Sequence, residues 1–260
     1  MSHSLLSPSY WKSAVAEVHN LRRLIFAALI CALCIAVSAL YIPIGDNLRI
    51  KFTFFLNAVG CAVYGPVIGI LTAIVSDTLG YILFPSGAYF PGYLLSAIAG
   101  NLVYALLLYR RKITVLRLFS AKLIVNYGVN VLMGSVWSAM LYGKGYFYYL
   151  FKSLIKNTLL LPIEVILMAM VFAVLIPPFA KVNMLPEHST AELRKLSVSS
   201  SAFTVLGLDL IVAGLFSFIY NATLDSSQQL YLILGAVLII VGAILFITGI
   251  QLAKKHTDTL

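Results

Sequence analysis

Residues 24–42 read LIFAALICALCIAVSALYI, 19 residues without one charged side chain. A helix needs roughly 20 mainly apolar residues to cross the hydrocarbon core of a bilayer, so this stretch predicts a transmembrane helix. The pattern recurs along the chain, and we expect further spans at about 52–64, 66–84, 91–109, 119–142, 150–176, 203–220 and 231–252. These eight segments predict an all-α, polytopic membrane helix bundle in contact with a lipid bilayer.

The composition agrees with a membrane protein. Of the 260 residues, 61% are hydrophobic and only 10% are charged, and the mean hydropathy is +0.98. A water-soluble domain of this length needs more polar surface than this composition supplies. The long apolar stretches are therefore interpreted as spans rather than as a globular core.

Prolines, glycines and polar runs set the expected boundaries. Gly65-Pro66 separates the second span from the third, and Pro177-Pro178 is expected to end the sixth because proline interrupts a helix. A polar, Ser-containing linker follows. The chain is thus divided into an N-terminal segment, a six-span domain, a linker, a two-span extension and a tail, at 1–23, 24–178, 179–202, 203–252 and 253–260.

Lysine and arginine are unevenly divided between the two ends of the predicted spans. Thirteen of the 18 lie before the first span, in the 110–122 connection, in the linker or in the tail, and five lie at the opposite ends. Because positive charge is retained in the cytoplasm, both termini are predicted to be cytoplasmic. This placement explains the net charge of +9 without a nucleic-acid partner.

Motifs of the common catalytic classes are missing from the chain. It contains no G-x-x-x-x-G-K-[ST], H-E-x-x-H or G-x-S-x-G, and its four histidines fall in polar ends or in the linker. Cys31, Cys34 and Cys61 lie in apolar stretches, where a buried free thiol is the usual state. We therefore predict no enzyme activity, no metal site and no cofactor.

Polar side chains within the first six spans are candidate ligand contacts, because polar groups at membrane depth are costly. Arg49 can clamp a carboxylate, and Asp77 can accept paired N–H donors from a heterocycle. Lys156 and Asn157 enter the sixth span, where Lys156 can meet an acidic ligand. The alternatives are charges that extend to the lipid headgroups, and an internal hydrogen bond for Asp77. Glu164 is expected to form a structural pair outside the site.

The fifth span carries two amides and an indole. Asn126, Asn130, Trp137 and Leu141 recur at helical spacing, which places them on one face. Asn130 and Trp137 on such a face suit a flat, hydrogen-bonding ligand. The alternative is hydrogen bonding between helices together with an interfacial tryptophan.

Two connections are rich in aromatic residues and glycine. Residues 85–93 read PSGAYFPGY and residues 142–149 read YGKGYFYY. Tyr89, Phe90 and Tyr142 can stack on a planar ligand, and the glycines permit the connections to move as a lid. The alternative is an aromatic belt at the membrane interface.

Small residues at four-residue spacing mark two helix faces that a neighbour can approach closely. The first span carries Ala28, Ala32 and Ala36, a face that suits docking to a partner protein. The fourth span carries a second set of the same kind: Gly92, Ser96 and Gly100.

The sequence resembles the substrate-binding S components of energy-coupling-factor vitamin transporters, most of all the folate-specific branch. The resemblance covers about 24–178. It rests chiefly on SDTLGYILFPSGAYFPGY at 76–93, with support from IGDNLRIKF at 44–52, from 137–144 and from 156–164. Two features depart from the family: Leu56-Asn57 stand where a proline is usual, and two spans follow the usual six.

The resemblance implies a six-helix S-component core plus two additional C-terminal transmembrane helices. It implies folate or a related vitamin bound under the loops 43–50, 85–91 and 142–149. It also implies that the Ala28, Ala32 and Ala36 face docks on a transmembrane coupling subunit, which two ATPase subunits energise, in the plasma membrane of a bacterium. Transport is then expected to proceed by toppling of the whole S component.

Other functions remain open on the residues alone. An S component for another vitamin or precursor is the nearest, because loop residues set specificity. A standalone secondary carrier is a second alternative, and it would import its substrate without ATPase partners. A membrane enzyme or scaffold is disfavoured by the missing motifs.

Overall fold

A computed structural model describes residues 8–43, 49–85, 89–185, 198–222 and 229–258 of the chain. The expected all-α bundle is confirmed, with one small β-hairpin between its first two membrane helices. Among the described residues, seven helical segments are long and apolar enough to cross a membrane. The elements are α1 (Pro8–Ala16), a 3-10 turn (Glu17–His19), α2 (Leu21–Ser38), β1 (Tyr41–Pro43), β2 (Arg49–Lys51), α3 (Phe54–Leu83), α4 (Pro91–Leu108), α5 (Val115–Ile124), a π-helical segment (Val125–Met133), α6 (Gly134–Tyr142), α7 (Tyr146–Lys181), α8 (Val198–Ala222) and α9 (Gln229–Asp258).

α3 turns back on itself at Gly65. This residue has φ 80° and ψ −171°, a conformation that is essentially restricted to glycine. The Tyr64 hydroxyl lies back over Gly60 and shares a 3.1 Å hydrogen bond with Thr72 Oγ1, although eight residues of continuous helix would rise about 12 Å. The limbs 54–64 and 66–83 therefore run antiparallel, so this one helical segment consists of two limbs.

The sixth span is longer than expected. α7 continues through Pro177 and Pro178 to Lys181, so the predicted end at these prolines is wrong. A proline near the end of a helix removes a hydrogen bond, but tertiary packing holds this last turn in place. Phe179 meets Phe26 edge to face, with 5.2 Å between the ring centroids.

The fifth span also differs from its expected form. It begins at Val115, and its centre is π-helical over residues 125–133. Lys122, predicted to lie in the connection before this span, is instead the most deeply buried cation among the described residues, only 2% exposed inside α5. The number of lysines and arginines on the predicted cytoplasmic side therefore falls from 13 to 12, which is still more than on the opposite side.

Large apolar side chains hold the helices of the core together. Phe26 and Ile30 of α2 pack with Tyr64 of α3, Leu108 of α4 and Phe172 of α7 in one buried cluster. On the opposite end of the bundle, β1 and β2 pair antiparallel, with Ile42 opposite Ile50. This hairpin connects α2 to α3.

α8 and α9 form a separate antiparallel pair, named here the C-terminal hairpin. α8 packs against α7 and α5, and Val205 joins a buried cluster with Val115, Phe119, Leu161 and Val165. α9 contacts mainly α8, so most of its apolar side chains face outward, as expected for a helix in lipid.

Candidate ligand-binding cavity

A cavity of about 440 Å³ opens at the end of the bundle that carries β1 and β2. Ligand sites for small molecules fall in the range of roughly 300–1,000 Å³. α2, α3, α4, α7 and the helices of the fifth span all contribute side chains to its wall. Its polar and aromatic lining includes Tyr41, Lys51, Asn57, Ser76, Asp77, Tyr81, Phe84, Tyr89, Phe90, Tyr93, Ser96, Asn101, Tyr104, Lys122, Asn130, Ser135, Tyr142, Tyr149, Lys152, Ser153, Lys156, Asn157 and Glu164.

Seven of the nine residues predicted to contact a ligand line this one cavity. They come from four separate parts of the chain. Asp77, on the second limb of α3, lines the cavity together with residues of the β-hairpin. Asp77 and Lys156 share this lining with Lys51 and Glu164. The seven are Asp77, Tyr89, Phe90, Asn130, Tyr142, Lys156 and Asn157.

The two remaining predicted contacts stand apart. The backbone of Arg49 opens β2, and its side chain lies outside the described residues. Trp137 is not part of the lining: its Nε1 donates a 2.9 Å hydrogen bond to Ser96 Oγ, and its ring lies 5.7 Å from that of Phe90. Trp137 therefore packs against the lining residue Phe90 on the side away from the cavity.

The π-helical segment explains why Asn130 and Trp137 diverge. The shared face was predicted from 3.6 residues per turn, whereas a π-helix has i→i+5 hydrogen bonds and wider turns. Asn126 is fully buried while Asn130 is exposed to the cavity. Seven residues further on, Trp137 faces α4, where the small residues Gly92 and Ser96 admit its ring.

A buried ion pair lies at the floor of the cavity. Lys122 Nζ is 3.1 Å from Glu164 Oε2 and 4.1 Å from the centre of the Phe54 ring. Asn126 Nδ2 donates to the same carboxylate oxygen at 2.9 Å, and Asn130 Nδ2 donates to Asn126 Oδ1 at 3.2 Å. These contacts form one continuous polar chain from the floor to the wall.

Sequence reasoning missed the floor as part of the site. Glu164 does form the expected structural pair, but it also lines the cavity. Lys122 carried no signal, since a lysine near the end of an apolar run is usually assigned to the adjoining connection. Tyr104 and Ser135 were also missed; both line the cavity with buried hydroxyls that have no hydrogen-bond partner in the described part of the chain.

The wall formed by α7 and the π-helical segment is held together by hydrogen bonds within α7 and between these two elements. Asn157 Nδ2 donates to Ser153 O at 2.8 Å, and Ser153 Oγ donates to the Asn130 carbonyl at 3.3 Å. Asn126 Nδ2 reaches the Asn157 carbonyl at 3.5 Å. Amide groups on this wall are therefore fixed before any ligand enters.

Aromatic rings surround the mouth. Tyr81 lies 5.1 Å from Tyr89, and Tyr142 lies 6.4 Å from Tyr149, measured between ring centroids. The lid interpretation of the 85–93 connection is a prediction that extends to residues 86–88, which lie outside the described residues. The rings that are described offer flat apolar faces to a planar ligand.

The charges of the lining favour an anion. Lys122 and Glu164 neutralise each other at the floor, which leaves Lys51, Lys152 and Lys156 against Asp77. Since a cation in a partly desolvated cavity attracts negative charge more strongly than in water, this excess predicts an acidic ligand. In the described part of the chain, no group of three His, Cys, Asp or Glu side chains is placed to hold a metal ion.

The end of the bundle opposite the cavity is closed by a charged cluster. Glu17 accepts a 2.8 Å hydrogen bond from Tyr109 Oη and pairs with Arg23 at 2.9 Å and Arg110 at 2.8 Å. Arg23 Nη1 also donates to the Val63 carbonyl at 2.7 Å. The cavity thus opens at one end of the bundle, while ion pairs join the elements at the other end.

The predicted docking face lies on the outside of the bundle. Ala28, Ala32 and Ala36 are all exposed on α2, on the side that does not pack against α3. Leu29 and Leu33 are exposed beside them. This face is free of contacts within the described residues of the chain, and its use for docking remains a prediction.

The chain is similar to known proteins in both sequence and structure. No protein-family model matches the chain. It is 35% identical to the folate transporter FolT of Clostridium novyi over 119 residues, which are 46% of this chain and 69% of that protein. It is 27% identical to the folate transporter FolT of Leuconostoc mesenteroides over 151 residues, which are 55% and 80% of the two chains.

A solved structure shares the fold of part of the chain. The crystal structure of FolT bound with folic acid matches with a TM-score of 0.54 and 26% sequence identity. The match covers 92% of that chain but 58% of this one. A substantial part of this chain therefore has no counterpart in that FolT structure.

Proposed function

The chain belongs to the FolT family of folate transporters, and we propose that it is the folate-binding specificity subunit of an ATP-driven vitamin importer. One observation carries the proposal: a single 440 Å³ cavity collects cations, fixed amides and aromatic rings on a chain 35% identical to a folate transporter. Folate combines an anionic glutamate, two aromatic parts and a hydrogen-bonding heterocycle. Each part has a matching group in the lining.

The cations of the upper wall are proposed to bind the glutamate carboxylates. Lys156 is half-buried on the cavity wall, and a hydrogen bond to a charged group contributes about 1.5–3 kcal/mol. Arg49 begins the strand that contains Lys51 and is proposed as a second carboxylate contact, since a guanidinium can donate two parallel hydrogen bonds.

The amides and the acid of the lining are proposed to hold the pterin. Asp77 accepts hydrogen bonds, whereas Asn130 and Asn157 both donate and accept them, which suits a heterocycle with groups of both kinds. Tyr89, Phe90 and Tyr142 are proposed to stack on the planar rings. Trp137 contributes by holding Phe90 in place.

The energy for uptake is proposed to come from partner proteins, because the chain carries no nucleotide-binding motif. The exposed face of Ala28, Ala32 and Ala36 is proposed to dock on a transmembrane coupling subunit, which in turn contacts two ATPases. In this arrangement the protein lies in the plasma membrane of a bacterium with both termini in the cytoplasm, and its cavity faces outward.

A fluorescence titration of the purified protein tests folate binding directly. The chain has two tryptophans, so Trp11→Phe leaves Trp137 as the single reporter, beside the lining residue Phe90. Folate and its reduced forms are expected to change this emission saturably. Absence of a saturable response to any of them would contradict the substrate assignment.

Competition and uptake experiments separate the remaining alternatives. Pantothenate, riboflavin and queuosine precursors should fail to displace bound folate, whereas displacement by one of them would assign the site to that vitamin. Vesicles that contain this protein alone should not accumulate folate. Accumulation without ATPase partners would favour a secondary carrier, and co-purification of a coupling subunit with two ATPases would support the proposed importer.

A further inference from the structure

The two helices of the C-terminal hairpin are in backbone contact. A Cβ atom placed on Gly207 would lie 2.6 Å from the Gly242 carbonyl oxygen, and one on Gly214 would lie 2.7 Å from that of Gly235. Ser200 Oγ donates to the Gly249 carbonyl at 2.9 Å. Such close glycine contacts give a membrane helix pair extensive packing, so α8 and α9 form one rigid unit.

This unit contacts the fifth span through an aromatic pair. Phe216 of α8 stacks on Tyr127, with 5.1 Å between ring centroids and 21° between the ring planes. α8 therefore presents an aromatic side chain to this tyrosine.

Tyr127 lies behind the lining of the ligand cavity and is linked to it by a hydrogen bond. Its hydroxyl forms a 2.7 Å hydrogen bond with Thr158 Oγ1, and Thr158 directly follows Asn157, a residue of the lining. Within the π-helical segment, Tyr127 directly follows Asn126, which forms hydrogen bonds with both Glu164 and Asn130. The ring of Tyr127 thus connects α8 to the polar groups proposed to bind the ligand.

Tyr127 lies in the π-helical segment, between α8 and the cavity. Residues 125–133 are π-helical, a conformation that is rare and frequently lies at functional sites. The side-chain amides of Asn126 and Asn130 in this segment are held by hydrogen bonds to Glu164 and to each other. Phe216 packs on the outer side of this segment, and the cavity lies on its inner side.

We infer that the C-terminal hairpin is a positioning element for the ligand cavity, acting through the stack of Phe216 on Tyr127. The inference rests on the proposed function, since the affected property is vitamin affinity. The stack holds Tyr127 against Thr158 and so fixes Asn130 and Asn157 in the orientation that receives the ligand. Phe216 and Tyr127 are positioning residues and do not contact the ligand themselves.

Two measurements on the full-length protein test this inference. Phe216→Ala removes the ring, while Leu215→Ala, at a neighbouring position that is 51% exposed, is the matched control. An aromatic contact contributes about 0.5–1.5 kcal/mol, so Phe216→Ala should weaken folate affinity about two- to tenfold. Amide hydrogen exchange in residues 125–133 of the ligand-free protein should accelerate in the same variant and not in the control.

Conservative variants distinguish positioning from general destabilisation. Phe216→Tyr keeps the ring and should restore both affinity and exchange protection, whereas Phe216→Leu keeps apolar volume without the ring and should not. Phe216→Leu also replaces Phe216→Ala if the alanine variant does not fold. Equal affinity and equal exchange in Phe216→Leu and Leu215→Ala would overturn the inference.

The same measurements separate this inference from the proposed function. If the wild-type protein does not bind folate, the proposed function fails, and the exchange experiment alone decides whether Phe216 supports the π-helical segment. If the wild-type protein binds folate and Phe216→Leu accelerates exchange without weakening affinity, the positioning role is wrong while the proposed function stands.

Discussion

The core formed by α2 to α7 and the C-terminal hairpin pack their apolar helices in different ways. The core encloses a cavity, and its helices are joined both by large buried side chains and by buried polar contacts such as Lys122–Glu164. The hairpin encloses nothing, and its helices touch backbone to backbone at Gly207 and Gly242. Buried polar contacts help to join the helices that surround the cavity, whereas close backbone packing joins the helices of the C-terminal hairpin.

The largest expected effect comes from breaking the ion pair of the core. Glu164→Gln leaves Lys122 buried without its counter-charge, and removal of one partner of a buried pair costs about 3–5 kcal/mol. A strong fall in thermal stability in detergent is the expected outcome. The double variant Lys122→Met with Glu164→Leu should recover most of the loss, because apolar replacement of a whole buried pair is often nearly neutral. A single variant as stable as wild type would show that the core does not depend on this pair.

A smaller effect, confined to the ligand, is expected at the wall of the cavity. Lys156→Gln removes a proposed charged hydrogen bond to a carboxylate, worth about 1.5–3 kcal/mol, which corresponds to roughly 10- to 100-fold in Kd. Folate titration measures this change, and Lys181→Gln, a matched lysine at the far end of α7, is the control. Equal loss of affinity in both variants would point to a general effect of charge.

The glycine contacts of the C-terminal hairpin should be sensitive to added side-chain volume rather than to loss of charge. Gly242→Leu places a side chain against the backbone of α8, and overpacking of this kind costs about 1–3 kcal/mol. Gly128→Ala is the control, since its Cβ would meet only Ile124 at an ordinary 4.0 Å. Thermal unfolding of both variants makes the comparison, and tolerance of leucine at position 242 would show that the close helix contact is dispensable.

The smallest effect on the isolated protein is expected at the exposed face of α2. Ala32→Leu adds volume where the structure has no neighbour, and surface changes of this kind usually stay within about 0.5 kcal/mol. Folate affinity and stability should therefore match wild type, while co-purification with the coupling subunit should be reduced. Retained co-purification would remove this face from the proposed docking surface.

Much of the candidate site was predictable, because its residues occur in short, unusual patterns. Asp77, Tyr89 and Phe90 stand within one stretch at the end of an apolar run, and Lys156-Asn157 begin another. Each is a polar or aromatic group where an apolar one is expected. Lys122 was not predictable in this way, since its burial depends on Glu164, 42 residues further along the chain.

The π-helical segment shows the limit of periodic reasoning. A face calculated from 3.6 residues per turn placed Asn130 and Trp137 together, but the wider turns of residues 125–133 send Trp137 to α4. The small residues Gly92 and Ser96 were a usable signal, because they marked a face that a large side chain could approach. The residues next to Trp137 in the sequence did not indicate which helix its ring would pack against.

The amino-acid sequence by itself indicated the apolar helices and a boundary at Gly65-Pro66, because apolar length and backbone freedom are local properties. It also placed most of the polar and aromatic groups now found in the cavity. Only the tertiary structure decided that Lys122 belongs to the floor, that Trp137 stands behind Phe90, and that α8 packs on Tyr127. These outcomes depend on which surfaces meet, and contacts between distant helices are set by the shape and charge of both partners together.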